Sequence, residues 1–130
     1  MKYLLDTNVV IGLLANRPSI VTEMRRRSLS EIALSSLVMH ELYFGAYKGA
    51  RTIETLRNYG RLVFSVLPFE TDDARFAAEI RATLQRQGTP IGPYDTLLAG
   101  QALARGLVLV TRNTREFARV EGLQVENWEV

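Results

Sequence analysis

Short apolar runs alternate with longer segments of helical periodicity, and this alternation limits the possible folds more than any other feature. The apolar runs predict strands at 2–5, 32–34, 63–67, 107–110 and 123–125. Helical spacing of apolar residues predicts helices at 8–14, 20–27, 37–47, 51–61, 71–87 and 94–105. Strands that are separated by helices pair in parallel and have both faces covered. The sequence therefore predicts an α/β fold: a three-layer α/β/α sandwich with a mostly parallel central sheet.

The composition narrows the class of protein. The chain has 130 residues, of which 47% are hydrophobic and none is cysteine. A chain of this size can bury a core as one domain, which we expect to span residues 1–130. The lack of cysteine excludes disulfides, thiolate zinc sites and cysteine nucleophiles. The first apolar stretch is too short for a signal peptide, and no run approaches a membrane helix, so we expect a cytoplasmic protein without a membrane partner.

The basic residues are almost all arginine, with lysine only at Lys2 and Lys48, and the net charge is +2. Arginine suits phosphate and stacks on bases, so one interpretation is a nucleic-acid partner. A GC-rich genome would produce the same bias. The arginine content leaves both interpretations open.

Three acidic residues lie where apolar sequence gives way to a turn or a helix start. Asp6 follows the first predicted strand, Glu41 lies about one turn into its helix, and Asp95 lies in the first turn of another. Ligand sites of open α/β sheets lie outside the carboxyl ends of the strands, so we expect these carboxylates to converge there. Clustered carboxylates suit Mg²⁺ or Mn²⁺, which activate water and neutralise charge on phosphates. Phosphodiester hydrolysis is therefore the leading chemistry.

Each acid also has a structural interpretation. Asp95 could stabilise its helix through the helix dipole, Glu41 could pair with an arginine, and Asp6 could cap the following turn. Taken singly, each of these interpretations is favoured over a metal site. Their joint occurrence at strand ends and helix starts favours the metal site.

Four segments resemble the PIN-domain ribonucleases and, more narrowly, VapC, the toxin of bacterial and archaeal toxin–antitoxin pairs. They are residues 4–8, 38–45, 91–99 and 109–117. The resemblance implies an endoribonuclease that needs Mg²⁺ or Mn²⁺ and cuts structured RNA, such as loops of tRNA or rRNA. It implies that Asp6, Glu41 and Asp95 are the catalytic and metal-binding residues.

The resemblance also implies supporting residues. Thr7 and Asn8 would orient the first acid or a water on the metal, and Thr111 would support the site by hydrogen bonding. Many family members carry a fourth acid two residues after the matching threonine, where this chain has Asn113. Glu116 lies one turn farther on and could approach the metal through water. Which of Asn113 and Glu116 replaces the fourth acid stays open, as does the number of metal ions.

The expected partners follow from the same resemblance. Arg112 and Arg115 flank Asn113 and are the expected RNA phosphate contacts. Such toxins are usually homodimers, inhibited by a small VapB-like antitoxin whose C-terminal segment lies in the active-site groove. They contact operator DNA only through the antitoxin.

Other conspicuous side chains are expected to have structural or contact roles. His40 faces a different side of its helix from Glu41, so we expect it to pack or to contact RNA rather than to bind metal. The aromatic residues Tyr43, Phe44 and Tyr47 could stack on bases or bury a dimer or antitoxin contact, and the core or an interface is favoured for them. Arg25, Arg26 and Arg27 are expected to be solvated, Ile53 and Leu56 to face inward, and Trp128 to hold the last strand to the core.

Parts of the sequence are also compatible with two competing functions. Phosphoryl-receiver and haloacid-dehalogenase-like domains place an acid at a strand end, but they need a later strand-end lysine, and neither Lys2 nor Lys48 lies there. The other alternative is a non-catalytic PIN-like protein that binds RNA or an antitoxin without cutting. Retention of three acids favours the nuclease.

Overall fold

The computed structural model describes residues 1–129. Within them, the strands are β1 (Tyr3–Leu5), β2 (Ile32–Ser35), β3 (Ser65–Leu67), β4 (Val108–Val110) and β5 (Val125–Glu126). The helices are α1 (Thr7–Leu14), α2 (Pro18–Arg25), α3 (Ser36–Lys48), α4 (Thr52–Tyr59), α5 (Thr71–Arg86), α6 (Pro93–Ala104) and α7 (Thr114–Phe117). A single 3₁₀ turn, Leu29–Glu31, precedes β2.

The strands form one sheet in the order β3-β2-β1-β4-β5, and every pairing is parallel. This confirms the predicted α/β fold with its three-layer arrangement. Tyr3 of β1 is in register with Ile32 on one side and Val108 on the other, and all residues of β1, β2 and β4 are buried. Because β1 lies between β2 and β4, the segments that follow these three strands emerge side by side at the carboxyl edge of the sheet.

Two helices start directly at this edge. Asp6 caps α1 by accepting a hydrogen bond from the Thr7 N–H. Ser35 accepts from the Leu37 N–H and begins α3. Short polar side chains at these positions satisfy amide groups that a helix start leaves unpaired.

Helix α6, which carries Asp95, is fixed closely against α5. A Cβ placed on Gly100 would lie 2.5 Å from the Ala77 Cβ and 2.6 Å from its backbone N, so only glycine permits this approach. Arg105 follows α6 and donates to the buried Asp73 carboxylate at 2.9 and 3.2 Å. Asp73 also accepts from the Glu70 N–H at the start of α5. These contacts hold the helix in one position relative to the sheet.

The structure contradicts one prediction about packing and narrows another. Ile53 is 76% exposed, because α4 packs mainly on α3 and leaves its other face in water. Tyr43, Phe44 and Tyr47 are exposed, which excludes the core and leaves a partner interface or stacking on bases for them.

The C-terminal region also differs from its prediction. The last strand begins at Val125 instead of 123, and α7 was not predicted. Arg27 is not fully solvated, since its guanidinium lies 4.2 Å from the Trp128 ring centroid and 4.8 Å from that of Tyr3. Trp128 is only 3% exposed and packs on Tyr3, as expected for a residue that holds the C-terminal segment to the core. Within residues 1–129, no helix is long and apolar enough to cross a membrane.

Candidate active site

Asp6 is held rigidly where β1 ends. It is 6% exposed, and its N–H donates to the Val110 carbonyl oxygen at 2.9 Å. Its carboxylate accepts hydrogen bonds from the Thr7 N–H at 2.8 Å, the Thr111 hydroxyl at 2.8 Å and the Asn8 amide at 3.1 Å. Three donors therefore fix both carboxylate oxygens at the carboxyl edge of the sheet.

Thr111 and Asn8 join the ends of β1 and β4. Thr111 is fully buried, and its Oγ1 accepts from the Asn113 N–H at 3.0 Å. The Asn8 side-chain oxygen accepts from the Arg112 N–H at 3.3 Å, while its amide donates to Asp6. These side chains form one network around Asp6 that includes residues predicted to support it.

Glu41 is half-buried on α3 and lies within electrostatic reach of Asp6. Burial raises the pKa of Glu41, and the negative charge of Asp6 raises it further. The Thr7 hydroxyl and His40 act in the opposite direction and lower it by less. Thr7 Oγ1 is buried and makes no hydrogen bond of normal geometry, although it lies near enough to Glu41 to affect its pKa.

Asp95 lies in the first turn of α6, and its pKa is raised to about 7. Burial is the largest cause, followed by the charge of Asp6, a hydrogen bond and charge from Glu116, and the charge of Glu41. Among the described residues, neither Asp95 nor the other two acids forms an ion pair with lysine or arginine. The arginine-pairing interpretation of Glu41 therefore does not hold, and the carboxylates repel one another.

Glu116, on α7, contacts this group of acids. The Asn113 amide donates to Glu116 Oε2, and the Gly92 N–H donates to Oε1 at 3.3 Å. Burial by itself raises the pKa of Glu116, but these hydrogen bonds and the one shared with Asp95 outweigh burial and lower it. The hydrogen bond that the two carboxyl groups share therefore raises the pKa of Asp95 and lowers that of Glu116. Asn113 reaches Asp95 only through Glu116.

The donor set fits a hydrated divalent cation. Within residues 1–129, no three His, Cys, Asp or Glu side chains are gathered closely enough to ligate one ion together. Mg²⁺, however, is usually bound through one or two carboxylates and keeps several waters. The donors at Asp6, Glu41 and Asp95 are all oxygens, and their mutual repulsion is relieved by a cation.

The two arginines predicted to contact RNA lie at the surface beside this group. Arg112 follows Thr111 and is exposed, with its guanidinium 3.9 Å from a Glu129 carboxylate oxygen. Arg115 is exposed on α7, next to Glu116. Glu129 also pairs with Arg17. Its carboxylate therefore partly neutralises the positive charges of both Arg17 and Arg112.

The sequence did not single out Tyr94. Its hydroxyl lies 2.8 Å from His40 Nδ1. Tyr94 directly precedes Asp95 in the sequence, and His40 directly precedes Glu41. The only sequence signal for Tyr94 is its position next to an acid.

Comparison with known proteins decides the family. The sequence-family model of the PIN domain matches residues 3–123 of this chain. The chain belongs to the PIN-domain family. This PIN protein is 40% identical to the tRNA(fMet)-specific endonuclease VapC of Salmonella typhimurium and 39% identical to that of Shigella flexneri, over 98% of both chains in each case. A crystal structure of DNA-bound VapBC from Salmonella typhimurium matches with a TM-score of 0.92, at 39% identity and 98% coverage of both chains. Within the PIN domains, the chain falls in the VapC family.

The raised pKa of Asp95 predicts a pH-dependent stability of the metal-free PIN domain. In the unfolded chain the pKa is near 3.8, and in the folded protein it is about 7. Between these values the folded state binds more protons, so stability is lost as the pH rises toward 7. We expect Asp95→Asn, which keeps a donor for Glu116, to melt a few degrees above wild type at pH 8 in EDTA, with the difference vanishing toward pH 4.

Thermal denaturation between pH 4 and pH 8 measures this difference. Asp72→Asn removes an exposed acid from the first turn of α5 and is the matched control, expected to show no such pH dependence. A melting difference for Asp95→Asn that is constant across this range would contradict the prediction.

Proposed function

We propose that this protein is an endoribonuclease toxin of a VapBC-type toxin–antitoxin pair that hydrolyses RNA phosphodiester bonds with Mg²⁺ or Mn²⁺. The observation that carries the proposal is the group of acids at the carboxyl edge of the sheet, Asp6, Glu41 and Asp95. Their carboxylates repel one another, and none of them forms an ion pair with arginine among the described residues. Relatives named VapC ribonucleases support it. We also propose that residues 1–130 form a single PIN domain, which the family match over residues 3–123 supports.

In the proposed mechanism, Asp6 and Asp95 hold the cation, with Glu41 contacting it directly or through water. When bound, the cation would supply Lewis-acid activation of water and neutralise charge on the phosphate. The Thr111 hydroxyl and Thr7 N–H keep the Asp6 carboxylate oriented. Because its pKa is raised, Glu41 is suited to accept a proton from the attacking water.

Residues on and beside α7 complete this proposal. In the metal-free protein Glu116 accepts a hydrogen bond from Asp95, and the Asn113 amide holds Glu116 in place. Asp95 would release that proton to solvent on binding the cation. Arg112 and Arg115 would contact phosphates on either side of the cleaved bond. Phosphate contacts of this kind fix the position of the RNA without reading its sequence.

The proposed substrate and partners come from the relatives. Two of them are named as tRNA(fMet)-specific, so we propose initiator tRNA as the substrate. Solved relatives are VapBC complexes, some with DNA, so we propose a VapB-like antitoxin as partner and operator DNA contact through that antitoxin. A homodimer is also proposed.

Cleavage of tRNA by the purified protein tests this function. Initiator tRNA and elongator methionine tRNA are incubated separately with Mg²⁺, and the new 5′ ends are mapped. We expect one cut in the initiator tRNA and none in the elongator tRNA. Equal cleavage of both would overturn the substrate proposal alone. Binding of RNA without cleavage would overturn the nuclease proposal and favour the non-catalytic alternative.

Asn113→Ala is expected to reduce cleavage less than loss of one of the three acids. The amide carries no charge and acts on Asp95 through Glu116, so we expect a decrease of roughly 10- to 100-fold in kcat/KM, typical of residues that orient metal ligands. Initial rates on initiator tRNA measure the effect, and Asn58→Ala on the exposed face of α4 is the matched control. A loss as large as that of Asp6→Asn would show that Asn113 contributes more directly.

A further inference from the structure

The rings of His40 and Tyr94 meet beside the candidate site, and the proposed mechanism does not use them. Tyr94 Oη lies 2.8 Å from His40 Nδ1. The ring centroids are 5.4 Å apart, with 19° between the ring planes. His40 precedes Glu41 on α3, and Tyr94 precedes Asp95 on α6. The two helices that carry two of the acids therefore also hold a near-parallel pair of rings next to them.

Both rings are open to solvent. Tyr94 is 42% exposed, and His40 is also exposed on the surface of α3. Each ring is oriented by its contact with the other, so little side-chain freedom remains to be lost when a third planar group packs on them. Unpaired RNA bases bind proteins by stacking on exposed aromatic side chains of this kind.

We propose that His40 and Tyr94 form a stacking platform for one unpaired nucleobase next to the cleaved RNA linkage. The inference rests on the proposed ribonuclease function and specifies how that site positions its substrate. Because each ring is adjacent in sequence to one of the acids, a base on the ring pair would place the backbone of the same nucleotide near Asp95 and Glu41. The platform thus selects single-stranded or loop RNA, because a base inside a duplex has no free face to offer.

A purely structural role for the pair predicts a different result. If the hydrogen bond between His40 and Tyr94 only ties α3 to α6, its loss weakens RNA binding to the same extent whether or not a given base is present. If the rings stack on a base, removing the ring and removing that base abolish the same contact. The two losses are then not additive.

The test is a thermodynamic cycle on RNA binding. The probe is a fluorescent stem-loop RNA that carries the cleavage site mapped on initiator tRNA, in an intact form and in forms with one abasic nucleotide on either side of that site. Binding is measured by anisotropy in an Asp6→Asn background to prevent cleavage. We expect Tyr94→Leu and one abasic substitution each to weaken binding about tenfold, and both together to weaken it by about tenfold rather than a hundredfold.

Two control variants sharpen the cycle. Tyr94→Phe keeps the ring without its hydroxyl and is expected to retain sensitivity to the abasic substitution. Tyr47→Leu removes an exposed ring two turns farther along α3 and is expected to show independent effects. Independent losses for Tyr94→Leu at both abasic positions would overturn the proposal.

The outcome separates this inference from the proposed function. If wild type cleaves the intact RNA but the losses for Tyr94→Leu are independent, only the stacking platform is wrong. If wild type neither binds nor cleaves the RNA, the proposed function fails and the stacking platform fails with it.

Discussion

Asp6→Asn is expected to abolish RNA cleavage, with kcat/KM falling at least about 1,000-fold, since a metal ligand supplies several kcal/mol of charge stabilisation. The Asp6 carboxylate accepts hydrogen bonds from three donors, namely Thr7, Asn8 and Thr111. Its negative charge also raises the pKa of both other acids. An asparagine has one acceptor oxygen, so it leaves at least one of these donors without a partner and removes a negative charge from the proposed metal site.

Two readouts measure this effect. Initial rates on initiator tRNA give kcat/KM, and induced expression in cells is expected to arrest growth with wild type but not with Asp6→Asn. Asp72→Asn is the control, because it removes an equivalent but exposed acid from α5 and is expected to behave as wild type. Thermal denaturation of each variant shows whether it is folded. A folded Asp6→Asn protein that cleaves at the wild-type rate would contradict the proposed role of Asp6.

Removal of divalent cations is expected to have an effect of similar size. Cleavage should vanish in EDTA and return with Mg²⁺ or Mn²⁺, because the proposed ligands are all carboxylate oxygens, which these ions prefer. The fold should persist in EDTA, since the hydrophobic core consists of apolar side chains and includes none of the three acids. Circular dichroism checks the fold, and rates in EDTA with stepwise addition of each ion check the activity.

Zn²⁺ provides a comparison for this prediction. It favours nitrogen and sulfur ligands, and the chain has no cysteine and only one histidine. We expect Zn²⁺ to restore less activity than Mn²⁺. Cleavage that continued in excess EDTA would rule out the proposed mechanism.

The central strands were predictable because of where they lie in the sheet. β1, β2 and β4 are buried on both faces, so almost every residue in them is apolar and the pattern is clear. β5 is an edge strand with half-buried residues, Val125 and Glu126, and its pattern is weak. The prediction at 123–125 was therefore displaced toward the more apolar residues.

The positions of the three acids were also predictable in part. A parallel α/β sheet directs the ends of its central strands to one edge. An acid after β1, an acid in the second turn of α3 and an acid in the first turn of α6 therefore come near one another. The contacts that tune them were not predictable. Asp95 meets Glu116, and Tyr94 meets His40 across 54 positions of sequence, through packing that no local pattern records.

Side chains with both polar and apolar character account for other errors. Arg27 lies in a run of three arginines that resembles a solvated surface, yet its guanidinium packs on Trp128 and pairs with Glu23. Ile53 fits the apolar spacing of α4 but has no neighbouring element to cover it. In both cases the local pattern is the same for a buried and an exposed position, and only tertiary contacts decide between them.

The most direct test of a shared metal site is the anomalous scattering of Mn²⁺ in crystals of the protein soaked with that ion. We expect one strong peak between the carboxylates of Asp6 and Asp95, near Glu41, and no peak at that position in Asp6→Asn crystals. A fully ordered site without a peak at saturating Mn²⁺, or a peak only at a distant position, would contradict the claim that these acids together hold the catalytic cation.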